Sequence, residues 1–157
     1  MPITQRISTC LWYDREGEVA ADFYVSLFPN SKIISVNRYG DSAPLPKGTA
    51  MLTRFALDGI EFAALNGGPH FKLSEAASLV ALCEDQNEID RLWDALTADG
   101  GAESRCGWLK DRFGLSWQII PEGIDTMMSD PVKGARVFEA IMPMKKIDLA
   151  KLKAAFN

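Results

Sequence analysis

The sequence runs through one order of elements twice, and that repeat constrains the fold more than any other feature. In ISTCLWYD (7–14) apolar and polar residues alternate as in a half-buried strand. Ile7, Thr9, Leu11 and Tyr13 point to one side, and Ser8, Cys10 and Trp12 to the other. The following REGEVAADFYVSLFPNS places Val19, Phe23, Tyr24 and Leu27 on one helical face and stops at Pro29-Asn30. KIISVNRY (32–39) reads as a strand and GDSAPLPKG (40–48) as a loop. TAMLTRFAL and IEFAALN read as strands joined at Asp58-Gly59, a pair suited to a hairpin turn that needs positive φ at both residues.

The second half restates the order. SLVALCED (78–85) reads as a strand. DQNEIDRLWDALTADGG reads as a helix with Ile89, Leu92, Trp93 and Leu96 on its apolar face, a capping box from Asp85 and Glu88, and a stop at Gly100-Gly101. ESRCGWLKDRFGLSWQIIP is further β-structure with a turn near Arg112–Gly114. The interval that carries Phe23-Tyr24 onto Leu92-Trp93 also carries Leu27 onto Leu96 and Thr9 onto Ser78. The interval that carries Gly59 onto Gly114 carries Ala63 onto Gln118. A single α+β domain with coincidental spacing is the alternative, but helix faces and hairpins repeat together. The expected class is therefore α+β: tandem βαβββ modules, about 1–73 and 74–122, forming a curved mixed sheet around a cup within a domain spanning 1–129.

Residues 130–157 form a different element, a C-terminal helical tail. Asp130 is a good N-cap with Pro131 in the first helical position, and Val132, Ala135, Phe138 and Ile141/Met142 make an apolar stripe over 131–142. Pro143 breaks that helix. A second is expected over 149–156, with Asp148 as cap and Ile147 stapled to Leu152. Both apolar faces need cover, from their own sheet or from a second subunit. Open sheet edges and self-complementary apolar helices together lead to the expectation of a homodimer.

Of the 157 residues, 47% are hydrophobic and 24% charged, enough to bury a core. A formal net charge of −4 argues against a nucleic-acid partner, which requires clustered Lys and Arg. No apolar run approaches the ~20 residues of a membrane span, and MPITQRIST lacks the apolar region of a signal peptide. Three cysteines, Cys10, Cys83 and Cys106, are an odd number without a CxxC pair. They read as reduced thiols of a cytoplasmic protein.

The stretches LWYDREGEVAADFYVSLFPNSKI, ALNGGPHFK, CEDQNEIDRLWDAL, CGWLKDRFGLSWQIIP and MKKIDLAKL resemble the vicinal oxygen chelate (glyoxalase / bleomycin-resistance / extradiol dioxygenase) superfamily, in its PhnB-like branch. Members of that branch often carry the label 3-demethylubiquinone-9 3-methyltransferase. The resemblance implies a small-molecule cup protein, and relatives that commonly pair by two-fold symmetry. It leaves open whether the chain is an enzyme, as the methyltransferase label has it, or a drug-sequestering resistance protein. Methyl transfer from S-adenosylmethionine usually uses a glycine loop between a strand and a helix. LNGGP instead follows a hairpin strand and closes on Pro69, so its glycines read as a sharp turn.

Metal-dependent relatives take His and Glu ligands from the first and last strands of each module. The resemblance maps those positions onto Thr9, Ala63, Ser78 and Gln118, none of which is a His, Asp or Glu. No metal or other cofactor is expected on such a set. His70, the one histidine, lies outside it and reads as a polar contact in the connector, with a base role as the alternative. Thr9, Asn66, Ser78, Trp108 and Gln118 are the candidate ligand-binding residues, the few polar groups and an aromatic of an apolar cup. Gln118 has a competing reading as a structural amide, and Trp117 should face away from it. Lys110-Asp111-Arg112 reads as a solvated turn, with an anionic ligand at Arg112 as the alternative. Cys106 and Ser116 have no base nearby in sequence.

Overall fold

The computed structural model describes residues 4–157, which divide into two compact units on either side of the Leu73–Ser74 boundary. Each unit carries one four-stranded mixed sheet.

The first unit contains β1 (Thr9–Tyr13), α1 (Gly17–Leu27), β2 (Lys32–Arg38), β3 (Ala50–Leu57) and β4 (Ile60–Asn66), in the sheet order β1-β4-β3-β2. β1 runs parallel to β4 and the other pairs are antiparallel. The β3–β4 hairpin turns at Asp58 and Gly59 with φ of 48° and 78°, the positive pair that Asp-Gly supplies.

The buried side of α1 is Gly17, Ala20, Ala21 and Tyr24, whereas Val19 is 58% exposed. The expected face of Val19, Phe23 and Leu27 is corrected by close approach. A Cβ on Gly17 would lie 2.7 Å from Asn66 Oδ1 and 3.2 Å from the Ala64 Cβ, so small residues let the helix settle onto the sheet. Tyr24 then reaches over Phe55, at 6.3 Å between ring centroids, and its hydroxyl meets that of Tyr13 at 3.1 Å.

The second unit contains β5 (Ser78–Cys83), α2 (Gln86–Thr97), β6 (Ala102–Glu103), β7 (Trp108–Lys110) and β8 (Ser116–Pro121), in the order β5-β8-β7-β6. β5 is parallel to β8, the counterpart of β1 and β4. Ile89, Leu92, Trp93 and Leu96 are the buried face of α2, as their spacing requires. Asp85 Oδ1 accepts from the Glu88 amide at 2.9 Å, and Glu88 returns a bond to the Glu84 amide at 2.8 Å. Gly100, with φ of 109°, ends the single 3-10 turn that follows the helix.

Three helices complete this unit: α3 (Ile124–Ser129), α4 (Gly134–Ile141) and α5 (Leu149–Phe156). α3 is a single short helix of six residues that carries no cap side chain or long apolar repeat to mark it in the sequence. Asp130 accepts from the Val132 and Lys133 amides at 2.9 and 2.7 Å, in the turn that leads into α4. The stripe expected on α4 is corrected: Gly134, Val137 and Ile141 are buried, and Val132, Phe138 and Met142 are exposed. A Cβ on Gly134 would sit 2.2 Å from the Met128 carbonyl oxygen, so that edge must face α3, and Val137 and Ile141 follow it inward. α5 starts as expected, with Asp148 Oδ1 accepting from the Lys151 amide at 3.1 Å and Ile147 and Leu152 fully buried. Gln86 fastens α5 to α2, since its Oε1 accepts from the Leu149 amide and its Nε2 donates to the Ile147 carbonyl. Among the described residues no helix is long and apolar enough to cross a membrane.

Candidate functional site

Strand pairing decides which side chains share a face. In the first sheet Leu11, Tyr13, Ala64 and Asn66 turn toward α1 and are buried. Cys10, Trp12, Ala63 and Leu65 alternate onto the other face. Thr9 pairs with Phe62, in phase with Leu11, and so belongs to the α1 side, although it is exposed at the end of the strand. In the second sheet Leu109, Trp117, Ile119 and Cys83 are the buried side. Ser78, Val80, Trp108, Ser116 and Gln118 lie on the face turned away from them.

Ala63, Ser78 and Gln118 therefore take the open face of their own sheets, and Thr9 does not. The repeat interval fits the helices but is one residue out for the first strands, and a one-residue slip reverses every side chain of a strand. The open-face neighbour of Ala63 on β1 is Cys10. Cys10 is exposed, and partial desolvation raises its thiol above the ordinary range, the opposite of activation as a nucleophile. Cys83 is pushed up to about 12, first by burial and then by Glu88. Among the described residues no three His, Cys, Asp or Glu side chains gather as a metal ion would require.

Asn66 is 2% exposed, and its amide is engaged on both ends. Oδ1 accepts from the Gly17 amide at 2.8 Å, and Nδ2 donates to the Arg15 and Ala50 carbonyls at 3.1 and 3.0 Å. It caps α1 from across the sheet, a task Glu16 does not perform. Its backbone carbonyl accepts from the Tyr39 hydroxyl at 2.6 Å.

The Gly67-Gly68 turn is filled by protein. A Cβ on Gly67 would fall 2.2 Å from the Trp12 ring, and Trp12 Nε1 donates to the Gly68 carbonyl at 2.9 Å. Gly68 has φ of +86°, a conformation suited to glycine. Phe71 meets Trp12 edge-on at 4.9 Å between centroids, and His70 beside it is exposed.

Ser78, Trp108 and Gln118 are brought together. Gln118 sits between Val80 on β5 and Trp108 on β7, and its Nε2 donates to Ser78 Oγ at 2.9 Å. Val80 and Leu82, 52% and 60% exposed, continue this face as apolar surface. Trp117 points the other way, as expected, and is 2% exposed. Its Nε1 donates to Asp111 Oδ2 at 2.9 Å, while Asp111 Oδ1 accepts from the Phe113 and Leu115 amides. Asp111 is thus a buried turn organiser, correcting the reading of Lys110-Asp111-Arg112 as solvated. The charged neighbours hid it, since its partners are backbone groups and an indole beyond the turn.

A strand, a helix and three strands, repeated around parallel outer pairs, define the vicinal oxygen chelate class of folds. The family model described as 3-demethylubiquinone-9 3-methyltransferase matches residues 5–120, and the chain belongs to that PhnB-like family. It is similar to a solved Bacillus cereus PhnB protein bearing the same methyltransferase label, at 34% identity over 74% of this chain and 99% of that one, with a TM-score of 0.70. A Pseudomonas aeruginosa protein shares 20% identity over 76% of this chain and 98% of that one, with a TM-score of 0.62. The fosfomycin resistance protein FosX of Mesorhizobium loti shares the fold at 14% identity over 75% of this chain and 91% of that one, with a TM-score of 0.52. Among curated proteins none matches.

The methyl donor that the family label implies does not fit the glycine turn. Gly67-Gly68 leads into 69–77, where no helix follows to receive a phosphate or carboxylate, and the Trp12 indole occupies the space against Gly67.

Proposed function

We propose that the chain is a metal-independent small-molecule protein that receives its ligand on the open face of the second sheet, at Ser78, Trp108 and Gln118. The observation that carries this reading is the Gln118–Ser78 hydrogen bond at 2.9 Å on a face that also holds Trp108, Val80 and Leu82. A few fixed polar groups within apolar and aromatic surface are the usual make-up of a small-molecule site. Gln118 Nε2 donates to Ser78, so the Ser78 hydroxyl keeps its own hydrogen for a ligand acceptor. Thr9 and Asn66 leave the proposed set, because Thr9 lies on the α1 side and Asn66 is committed to the fold.

The test is chemical-shift mapping with small quinones, aromatic acids, bleomycin and S-adenosylmethionine. Shifts gathered at Ser78, Val80, Trp108 and Gln118 support the reading, and shifts gathered at Gly67–Phe71 refute it.

We further propose a cytoplasmic homodimer built on the tail. Three free thiols suit a reducing compartment. Val132, Phe138 and Met142, which are 78%, 50% and 44% exposed, give α4 and its entry turn an outward apolar edge that a second copy would cover. An interface of more than ~1,000 Å² in total would make such a dimer stable.

A further inference from the structure

We propose that the same face takes a small carboxylate, held by Lys110, Ser116 and Ser78, and that Glu75 occupies the carboxylate position when no ligand is bound. This rests on the placement of the ligand site on the second sheet and adds its chemical class.

Lys110, Ser116 and Ser78 are direct neighbours across β7, β8 and β5, and alternation points all three to the open face. In the adjoining row stand Trp108 and Gln118. A pocket of about 200 Å³ lies here, lined by Glu75, Ser104, Trp108, Lys110 and Ser116 among others. Ser116 is 1% exposed, and its Oγ has no hydrogen-bond partner among the described residues. A buried hydroxyl left unpartnered is costly, and a ligand atom would relieve it.

The row is rich in donors. Lys110 offers an ammonium, Ser116 an unused hydroxyl, and Ser78 the hydroxyl hydrogen left over from its bond with Gln118. Among the described residues, the carboxylate that faces Lys110 comes from outside the sheet. Glu75, in the segment before β5, places Oε1 2.6 Å from Lys110 Nζ while its side chain stays 66% exposed. An exposed ion pair of this kind is weak and exchanges readily. Glu103, also on the pocket wall, is held by the Trp93 indole N–H at 2.8 Å and faces Lys145 at 3.9 Å, so it does not compete for Lys110. A ligand carboxylate can displace Glu75, accept from Lys110 and Ser116, and lay its hydrocarbon body against Trp108. The volume is below the ~300–1,000 Å³ of drug-sized sites, so the ligand is small or enters by its acid end.

The experiment titrates the ¹⁵N-labelled full-length protein with benzoate, benzamide and benzylamine. Benzoate is expected to shift Lys110, Ser116 and Ser78, with benzamide and benzylamine at least tenfold weaker. Lys110→Met should weaken benzoate about tenfold or more, because a charge-assisted bond is lost. Glu75→Gln should tighten it about two- to fivefold, because the internal competitor is an exposed ion pair. Unchanged thermal melts establish that both variants are folded. Equal binding of benzamide and benzoate, or no benzoate shifts at Lys110 and Ser116, overturns the proposal. Neutral compounds that still shift Trp108 and Gln118 then leave the ligand face standing, and no shifts from any compound on this face remove both.

Discussion

Asn66 Oδ1 lies 2.8 Å from the backbone nitrogen of Gly17, so the last residue of β4 caps the first turn of α1. The same amide holds the Ala50 carbonyl at the start of β3. Asn66→Ala strands the Gly17 amide and two carbonyls, at about 1–3 kcal/mol per buried unsatisfied group. A lower urea midpoint with ligand shifts on the second sheet retained is the expected result. Unchanged stability would remove Asn66 from its structural role.

Gly67→Ala should displace Trp12. The added methyl would fall 2.2 Å from the indole, and overpacking of this sort costs about 1–3 kcal/mol. Loss of the Trp12 Nε1 bond to Gly68 should appear as a downfield-to-random shift of one indole proton resonance. An unmoved resonance would contradict the packing described for this turn.

The Asp130 carboxylate is held below its ordinary range, first by the Lys133 amide and then by that of Val132. A depressed folded pKa means stability that is present above the unfolded value, about 3.9, and is lost as pH falls through the folded value. Asp130→Asn keeps an acceptor but cannot titrate. Its stability should fall less steeply below about pH 4 than that of the parent chain. Parallel acid limbs in the two proteins would show that Asp130 contributes nothing to acid sensitivity.

Phe138→Glu puts a charge on the outward edge of α4, where Phe138 is 50% exposed. Light scattering should give about twice 17.3 kDa for the parent chain and the monomer mass for the variant, with similar melts. A parent mass of 17.3 kDa at micromolar concentration rejects the dimer, and a dimeric Phe138→Glu rejects only this edge as its interface.

The modular order, the Asp58-Gly59 hairpin, the apolar face of α2 and the caps at Asp85 and Asp148 were all legible in the sequence. Each rests on a local rule: positive φ, a capping oxygen, or aliphatic residues at helical spacing. The contact face of α1 was not, because Gly17, Ala20 and Ala21 carry little hydrophobic signal, and closeness to the sheet selects them. α4 offered two apolar stripes, and the Met128 carbonyl against Gly134 decides between them. Of the candidate site, Ser78, Trp108 and Gln118 share a face because their strands pair in register. Thr9 lies on the α1 side because the interval that relates the two helices is one residue out for the first strands. Lys110 and Ser116 carry no joint signal in the sequence, since only pairing across β7 and β8 makes them neighbours.

The placement of the ligand face is tested most directly by Gln118→Leu, a change of similar volume that removes the amide. Chemical-shift mapping with the same quinones and aromatic acids, beside a thermal melt, reads binding and folding separately. The expected result is a melting temperature within about 2 °C of the parent, since Gln118 is half-buried and its side-chain amide bonds Ser78 alone among the described residues, and loss of the ligand-induced shifts at Ser78 and Trp108. A melting temperature lowered by more than about 5 °C with those shifts intact would make Gln118 a structural amide and contradict the proposed site.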